Sequence, residues 1–397
     1  MRLDTMLGNL TNNYRGGGVF MIPVFKVAMA PDAPERVAEV VRSGRLEHGP
    51  RAEALEAELG RRIGNPRVAT VNCATSGLHL ALHLLVGRDP YRPDPTPERD
   101  EVLTTPLTFE GTNWPIPGNG LRIRWVDTDP HTLNLDLEDL ERKISPRTRA
   151  IVVVHWLGFP VDLAELDDVL DRARRRLGFR PPVVEDCAQA WGATYRGRPL
   201  GNHGNTAVYS FQTIKLLTAG GGGLMVFPEA ESHRRALRTR WFGIDRADDR
   251  TRGEYSVPEW GFRCPMDEIS AEIGSANLEM IDDLLAGHRA NAYRYDKELQ
   301  DVPGLEHTER PDDRAPTFWA YPVKVEDRPG FMRRLGEAGI GTTVLARRND
   351  DHPAVAAARE SLPGLDSVAD RVCYLPVGWW LTEEQREHIV DTVRSGW

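Results

Sequence analysis

The spacing of apolar residues changes along the chain from a helical to a strand pattern at about Val68. Before that point, apolar residues recur every three or four positions in two segments that begin at Pro34 and Pro50, which predicts two helices. From Val68 onward, short apolar runs alternate with turns and amphipathic segments. The run from Ala150 to His155 is almost continuously apolar, which is typical of a strand buried on both faces of a parallel sheet.

The alternation of strands and helices predicts a large α/β domain whose sheet is mixed, mostly parallel and enclosed between helices. Its predicted strands are 68–71, 102–103, 123–127, 150–155, 182–186, 207–211 and 224–227. After a long helical region over about 267–300, a β-α pattern resumes, with predicted elements at 318–325 (strand), 331–338 (helix), 341–345 (strand) and 382–393 (helix). We therefore expect a flexible arm over residues 1–20, a large α/β domain over 21–285 and a smaller α/β domain over 286–397.

The segment from Val208 to Leu224 combines an apolar strand, a single lysine and four consecutive glycines. Lys215 lies between apolar neighbours, Ile214 and Leu216 among them, and burial there would disfavour the ammonium form. A lower pKa makes a lysine amine a nucleophile toward carbonyl groups. The alternative is a surface lysine that extends from a loop, with glycines that only form a turn.

A turn of small residues follows the strand at 68–71, and an apolar helix over 78–85 follows the turn. Backbone N–H groups and hydroxyls around Ala74 and Thr75 could hold a phosphate at the positive end of that helix, or Thr75 could simply cap the helix. Phe109, Asp186 and Ser210 also come at or just after strand ends. Because ligands of such sheets lie beyond the carboxyl ends of the strands, these residues could share one crevice.

Composition narrows the class of protein. The chain has 397 residues, 40% hydrophobic and 27% charged, with a formal net charge of -9. An acidic balance argues against nucleic acid or an anionic membrane as the main partner. The four cysteines are far apart, so neither a disulfide framework nor a zinc site is expected. We find no apolar segment of the kind found in signal peptides or membrane spans, and expect a cytoplasmic protein.

A reactive lysine, a carboxylate, a flat side chain and a phosphate turn are together what pyridoxal phosphate requires. Seven motifs carrying these residues occur in one order: HGPR at 48–51, CATSGLHLAL at 73–82, TPLTFEGT at 105–112, DTDPHTLNLD at 127–136, VHWLG at 154–158, VEDCAQAWGA at 184–193 and SFQTIK at 210–215. In this order they resemble the DegT/StrS family of pyridoxal-phosphate-dependent nucleotide-sugar aminotransferases, which have the fold of the type I aspartate aminotransferase superfamily. The resemblance extends from about residue 22 to the C-terminus.

The resemblance assigns each site residue a role. It implies that Lys215 bonds covalently to the cofactor aldehyde and that Asp186 pairs with the pyridine nitrogen. Gln189 would contact the phenolic oxygen side of the cofactor, and Phe109 would stack on its ring. The phosphate would be bound by the remaining three residues, Ala74, Thr75 and Ser210. No metal ligands are implied.

Further resemblances concern the subunit interface and the sugar. Relatives often carry GYNYR where this chain has EWGFR at 259–263, so Gly261 replaces an asparagine that reaches the phosphate from the partner subunit. A homodimer with shared active sites is still implied. The segments 347–353 and 376–382 resemble a branch that acts on nucleotide-linked keto-sugars. Candidate substrate contacts are His48, Arg263, Arg347 and Asn349, although 48–51 could be a plain turn and 347–353 a solvated loop.

The function implied is transfer of an amino group from L-glutamate to a keto-sugar nucleotide, with a dTDP-4-keto-6-deoxyhexose aminated at carbon 4 as the favoured acceptor. Carbon 3, a GDP or UDP carrier and a cyclitol ketone are alternatives. Relatives with histidine in place of the lysine catalyse dehydration, so Lys215 favours transamination. A non-catalytic cofactor-binding regulator is the alternative from another class.

Overall fold

A computed structural model describes residues 22–86, 91, 93–245 and 256–397. Its strands are β1 (Val68–Val71), β2 (Glu101–Thr104), β3 (Arg122–Trp125), β4 (Thr148–Val154), β5 (Val183–Asp186), β6 (Thr194–Tyr195), β7 (Arg198–Pro199), β8 (Thr206–Ser210), β9 (Gly223–Val226), β10 (Leu305–Glu306), β11 (Arg314–Ala315), β12 (Tyr321–Val325) and β13 (Val372–Leu375). Its helices are α1 (Ala33–Ser43), α2 (Pro50–Ile63), α3 (Ala74–Val86), α4 (Glu110–Asn113), α5 (Pro115–Gly118), α6 (Leu137–Lys143), α7 (Leu163–Leu177), α8 (Ala230–Thr239), α9 (Glu268–Leu278), α10 (Ile281–Glu298), α11 (Arg328–Glu337), α12 (Pro363–Val368) and α13 (Glu383–Arg394).

Seven strands form the main sheet in the order β1-β9-β8-β5-β4-β2-β3. The neighbours from β8 through β5, β4 and β2 to β3 are parallel, and β9 runs antiparallel to both β1 and β8. The mixed, mostly parallel sheet predicted from the sequence is therefore confirmed. Since β9 is the antiparallel member, the carboxyl ends of the other six strands lie along one edge.

Side chains of β4 explain why its sequence is apolar throughout. Ala150 and Val152 belong to the core cluster that contains α3, whereas Ile151 and Val153 belong to the cluster that contains α2, α6 and α7. Neighbouring side chains of a strand point to opposite faces, so the two clusters occupy opposite faces of the sheet. Burial on both faces removes the alternation of polar and apolar residues that a solvated face would produce.

A second sheet, in the order β10-β12-β13, is antiparallel and builds the core of the C-terminal region. That core also contains Ile22, Val24 and Phe25 from the start of the described chain. The predicted boundary at residues 285 and 286 falls inside α10. The division into two domains stays a prediction.

Three predicted elements differ from the structure. Residues 341–345 form no strand, because Thr343 makes only an isolated bridge to Tyr374 while Gly341 bonds the backbone of Ile22. The helical region over 267–300 is divided at Met280, whose backbone angles of φ -106° and ψ 3° end the helical path. The small residues from Ala74 lie in the first turn of α3 rather than in a turn that precedes it.

The predicted arm over residues 1–20 lies outside the described residues, and so does part of the predicted loop over 88–100. Within the part of the chain that the structure describes, no helix combines the length and the apolar composition that crossing a lipid bilayer requires. All four cysteines are described, and all four are free thiols.

Candidate active site

The ends of β5 and β8 bring the central site residues to one edge of the sheet. Asp186 is the last residue of β5, and its backbone pairs with Val208 two residues before the end of β8 at Ser210. The chain then turns so that Phe211 and Ala219 are joined by a backbone hydrogen bond of 2.9 Å. Lys215 lies within this short loop and therefore projects from the carboxyl edge where Asp186 ends.

Lys215 has the electrostatics expected of a reactive amine. Burial lowers the pKa of its amine to about 8, while the nearby Asp186 carboxylate acts in the opposite direction. The Nζ atom lies 4.2 Å from the centre of the Trp319 ring. Charge is disfavoured by the loss of water, so near neutral pH a much larger share of this amine is in the neutral, nucleophilic form than in an ordinary lysine.

Asp186 is buried at 3% exposure and is held by two donors. The Thr112 hydroxyl donates to Oδ2 at 2.7 Å, and the backbone N–H of Ala188 donates to Oδ1 at 2.9 Å. Burial raises the pKa of the carboxyl group, although both hydrogen bonds and Lys215 oppose the rise. Among the described residues no Lys, Arg or His nitrogen forms an ion pair with Asp186, so a ligand N–H that carries positive charge would find an anionic acceptor here.

The glycine run meets the N-terminus of α3. A side chain at Gly223 would place its Cβ 2.6 Å from the Tyr209 carbonyl oxygen and 2.9 Å from the backbone nitrogen of Ala74. Gly222, with φ of 111°, forms a bridge with Cys73. Only glycine permits this close approach and this backbone angle. The glycines therefore bring the Lys215 loop beside the first turn of α3, and the N-terminus of a helix favours an anion.

Phe109 and Thr75 lie beside each other across Gly111. A Cβ at Gly111 would be 2.6 Å from the Thr75 hydroxyl oxygen and 3.1 Å from the Phe109 ring. The Phe109 side chain is 62% exposed, which is unusual for a phenylalanine in a chain with this much buried apolar surface. The structure thus brings together a hydroxyl at a helix start and an uncovered aromatic face.

Ser210 and Gln189 flank the same edge. The Ser210 hydroxyl accepts from the backbone N–H of Gln212 at 3.3 Å. The Gln189 amide oxygen accepts from the backbone N–H of Leu157 at 2.7 Å, which leaves the amide NH₂ as the group that can contact a ligand. Leu157 has φ of 57°, so this hydrogen bond also holds a left-handed turn after β4.

Two predicted substrate residues contact other parts of the protein. His48 is buried, its Nε2 accepts from Arg240 at 3.2 Å, and its Nδ1 therefore donates to the carbonyl of Met266 at 3.3 Å. Arg263 is exposed and forms an ion pair of 2.8 Å with Glu47. The structure gives His48 a bonding role between α2 and the segment before α9, rather than an open ring nitrogen.

The other two predicted substrate residues lie against the Phe109 loop. The Asn349 side chain is fully buried, donates to the Thr108 carbonyl at 2.8 Å and accepts from Asn113 at 2.8 Å. It therefore fixes the loop rather than presenting its amide to solvent. Arg347 is exposed, and its guanidinium makes a long hydrogen bond of 3.4 Å to the carbonyl of Asp351. Arg347 is the member of this segment whose guanidinium can reach a ligand.

Gly261 occupies a position with no room for a side chain. A Cβ there would lie 2.4 Å from the backbone nitrogen of Gly243 and 2.5 Å from the Thr239 carbonyl oxygen. The chain on either side pairs closely with 239–243, and Phe242 donates its N–H to the Phe262 carbonyl at 2.7 Å. Packing between two backbones explains the glycine where relatives often carry asparagine.

Two contacts of the site were not expected from the sequence. Thr112 was part of a recognised motif, but its bond to Asp186 joins residues 74 positions apart. The sequence predicts Trp319 within a strand over 318–325, whereas the strand begins only at Tyr321, and nothing near Trp319 in the sequence indicates contact with Lys215. An isolated tryptophan and threonine carry no periodic signal, so only spatial proximity reveals them.

The residues present fit pyridoxal phosphate. The partly buried lysine supplies an amine of lowered pKa, the buried carboxylate lacks a cationic partner among the described residues, and the backbone cradle formed by Ala74 and Gly223 would be filled by a single added Cβ. Phe109 provides an exposed aromatic face and Thr75 a hydroxyl. The amine matches the aldehyde of that cofactor, the carboxylate its pyridine nitrogen, the aromatic face its ring, and the backbone cradle with the hydroxyl its phosphate.

Comparison with known proteins gives consistent matches over nearly the whole chain. The model of the DegT/DnrJ/EryC1/StrS aminotransferase family matches residues 28–394. The crystal structure of the sugar aminotransferase CalS13 from Micromonospora echinospora is 62% identical, covers 95% of this chain and 100% of its own, and has a TM-score of 0.91. AtS13 from Actinomadura melliaura is 59% identical over 96% of this chain and 100% of its own, with a TM-score of 0.92. DesV from S. venezuelae, solved with a ketimine intermediate, is 30% identical over 92% of this chain and 94% of its own, with a TM-score of 0.82.

Proposed function

The chain belongs to the DegT/DnrJ/EryC1/StrS aminotransferase family, and we propose that this pyridoxal-phosphate-dependent sugar aminotransferase moves an amino group from L-glutamate to a keto-sugar nucleotide. The proposed acceptor is a dTDP-4-keto-6-deoxyhexose, which would become the 4-amino-4,6-dideoxy sugar. The observation that carries the proposal is the placement of a lysine amine of lowered pKa and a buried carboxylate at one edge of the sheet.

Seven residues would hold the cofactor in this proposal. When bound, pyridoxal phosphate supplies an aldehyde that condenses with amines and a ring that withdraws electrons from the attached carbon. Lys215 would bond to it, and Asp186 would face its nitrogen. The residues proposed to contact its ring, its phenolic side and its phosphate are Phe109, Gln189, Ala74, Thr75 and Ser210.

Lys215 is proposed to act as the base and acid of the reaction at its Nζ atom. With a pKa of about 8, about a quarter of the amine is neutral at pH 7.5, whereas at the ordinary pKa of 10.5 only about one in a thousand would be. A group with a pKa near the working pH both takes and returns protons efficiently. Burial of the lysine therefore favours both its nucleophilic and its proton-transfer roles.

Asp186 is proposed to hold a proton on the facing nitrogen. Its two hydrogen bonds to Thr112 and Ala188 fix the carboxylate plane, and burial makes its charge costly until a cationic partner arrives. Such a carboxylate favours the protonated form of a nitrogen that faces it. This keeps the bound ring electron-poor, which is what removal of a proton from the attached carbon requires.

The sugar nucleotide is proposed to bind beside the Phe109 loop. Asn349 fixes the segment that carries Arg347 against that loop, and the Arg347 side chain is exposed. A guanidinium is suited to a diphosphate, with which it can form two parallel hydrogen bonds. Position and charge support Arg347 as the contact for the carrier diphosphate, with the exposed Arg263 as a further candidate, whereas both ring nitrogens of the buried His48 already bond within the protein.

A homodimer with shared active sites is also proposed. Phe109 is 62% exposed on the single chain, and Phe242, Val257 and Trp260 are exposed by 44%, 45% and 39%. Phe242 and Val257 lie in segments that meet at Gly243, and a contiguous apolar patch of this kind is typical of a surface that a second subunit covers. The four free thiols suit a reducing compartment, which supports the cytoplasm as the location.

A panel of keto-sugar nucleotides tests the proposal directly. Purified protein with cofactor and L-glutamate is incubated with dTDP-, UDP- and GDP-linked 3-keto and 4-keto sugars, and products are weighed by mass spectrometry. We expect the dTDP-4-keto-6-deoxyhexose to gain an amine with the highest kcat/KM. Preferred amination of another acceptor would overturn the proposed substrate. Loss of water without gain of an amine would show that the reaction is a dehydration and not a transamination.

A further inference from the structure

Trp319 lies directly against the Lys215 amine, although it belongs to a different part of the fold. It comes two residues before β12 of the C-terminal sheet, and only 4% of its surface is exposed. The Lys215 Nζ atom is 4.2 Å from the centre of its ring. The ring therefore forms one wall of the space in which the amine lies.

Three contacts fix the orientation of the indole. Its Nε1–H donates to the carbonyl of Ile214, the residue before the lysine, at 2.8 Å. Phe25 stacks on it with ring centres 4.7 Å apart and an angle of 26° between planes. The backbone N–H of Trp319 donates to the Leu157 carbonyl at 3.1 Å. A residue held by its ring edge, its ring face and its backbone is pre-organised rather than free to turn away.

Leu157 connects this arrangement to the opposite side of the site. Its carbonyl accepts from Trp319, while its own N–H donates to the Gln189 side chain at 2.7 Å. The left-handed turn at Leu157 thus positions the indole and the glutamine together. The N-terminal segment at Phe25, the turn after β4 and the C-terminal sheet all converge on the lysine.

We propose that Trp319 is a positioning residue for Lys215: its indole ring excludes water from the amine and aligns it with the carboxyl edge of the main sheet. The proposal rests on the assignment of Lys215 as the reactive amine. The pKa of Lys215 is lowered mainly by burial, and a ring in contact with Nζ is part of that burial. The attraction of an ammonium to an aromatic face is a smaller effect in the opposite direction.

The test measures the pKa of the Lys215 amine in the full-length protein without cofactor. Each variant is acetylated with a small anhydride at pH 6.5 to 11, and the rate at Lys215 is quantified by peptide mass spectrometry. Exposed Lys297, in α10, is the internal reference in the same digest. Trp397→Phe is the matched control, because Trp397 packs on Phe331 at 4.8 Å between ring centres.

We expect a midpoint near pH 8 for wild type and Trp397→Phe, and a midpoint higher by about one unit or more in Trp319→Ala, with Lys297 unmoved. Trp319→Phe keeps a ring face and should stay near the wild-type value. An unchanged or lower midpoint in Trp319→Ala overturns the proposal, as does a Trp319→Phe midpoint as high as that of Trp319→Ala.

Trp319→Gln covers the case in which the alanine variant does not fold. Glutamine keeps an N–H donor and much of the volume but replaces the apolar ring by a polar amide, so the same upward shift is expected. Borohydride reduction of the holoenzyme separately identifies the lysine that holds the cofactor. A lysine other than Lys215 would overturn the proposed function, whereas an unmoved midpoint overturns only the role of Trp319.

Discussion

The hydroxyl of Thr112 donates a hydrogen bond of 2.7 Å to Oδ2 of Asp186. Both groups are buried, and Thr112 lies in the short helix α4 directly after the Phe109 loop. The loop that presents the aromatic face is thereby joined to the strand end that presents the carboxylate. Because the bond favours the charged form of Asp186, we expect cofactor affinity to depend on a threonine that need not touch the cofactor.

Replacing Thr112 by valine removes this bond while keeping the shape of the side chain. A hydrogen bond to a buried charged group contributes about 1.5–3 kcal/mol, so the dissociation constant for cofactor should rise about 10-fold or more. Absorbance titration of the cofactor-free protein measures it. Thr112→Ser retains the hydroxyl and should bind nearly as wild type; equal losses in both variants would contradict the hydrogen-bond explanation.

Lys215→Ala should abolish transamination and leave the fold intact. Loss of a general acid–base group alone costs about 10²–10⁴-fold in rate, and the covalent bond to the cofactor is lost as well. Product formation by mass spectrometry and far-UV circular dichroism report the two properties. Lys297→Ala, on the exposed side of α10, is the control. Turnover retained in Lys215→Ala would remove the lysine from the mechanism.

Asp186→Asn should bind cofactor weakly and react slowly, because a neutral amide cannot hold a proton on the facing nitrogen. Removal of one preorganised electrostatic contact typically costs about 10²–10³-fold in rate. Stopped-flow measurement of the half-reaction with L-glutamate separates this loss from weak binding at saturating cofactor. A normal rate constant in that half-reaction would be incompatible with the role given to Asp186.

Lys215 should make the stability of the cofactor-free protein depend on pH. Its folded-state pKa of about 8 lies below the ordinary 10.5, so between these values the unfolded chain binds more protons and stability rises with pH. Below pH 8 the buried ammonium costs up to about 3 kcal/mol. Lys215→Met should therefore gain stability relative to wild type at pH 7, and this pH-dependent part of the difference should vanish above about pH 10.5. Urea unfolding of both proteins at several pH values measures it; a constant difference would mean that the pKa is not lowered.

Gly261→Ala should destabilise the protein, because its Cβ would lie 2.4 Å from the Gly243 nitrogen. Forced overpacking of this kind costs about 1–3 kcal/mol, with a lower melting temperature as the readout. Gly336, within α11, has open space where a Cβ would lie, and Gly336→Ala should stabilise the folded protein by about 0.5–1 kcal/mol. An unaffected Gly261→Ala variant would mean that this backbone pair can separate.

Much of the main sheet was predictable because its strands obey local rules. β1 has the predicted bounds, β5 differs by one residue at one end, and β8 differs by one residue at each end. Local rules failed where partners decide the outcome. Residues 341–345 are rich in β-formers, yet their backbone partner is the single residue Ile22 on one side, which is too little for a strand. The break at Met280 could not be predicted, because apolar periodicity continues across it.

The residues of the site likewise fall into those that the sequence predicts and those that it does not. The seven residues assigned to the cofactor carry motif signals, because each chemical role demands one residue type at a fixed place in the sequence. The support around them does not: Thr112, Trp319 and Phe25 are ordinary core-forming residues whose importance comes from what lies beside them. The polar atoms of His48 and Asn349 bond neighbouring segments of the protein, a role that their motifs do not indicate, and their contact with substrate stays a prediction.

Asn349 has a consequence for anyone who recombines these enzymes. Its amide is shared between Thr108 and Asn113, which lie more than two hundred positions earlier in the chain. A chimera that imports the C-terminal segment of a relative in order to alter sugar preference would separate this asparagine from the partners it evolved with. The relative's residue at the position of Asn113 should be transferred together with the segment, so that the hydrogen bond between these two positions is kept in the chimera.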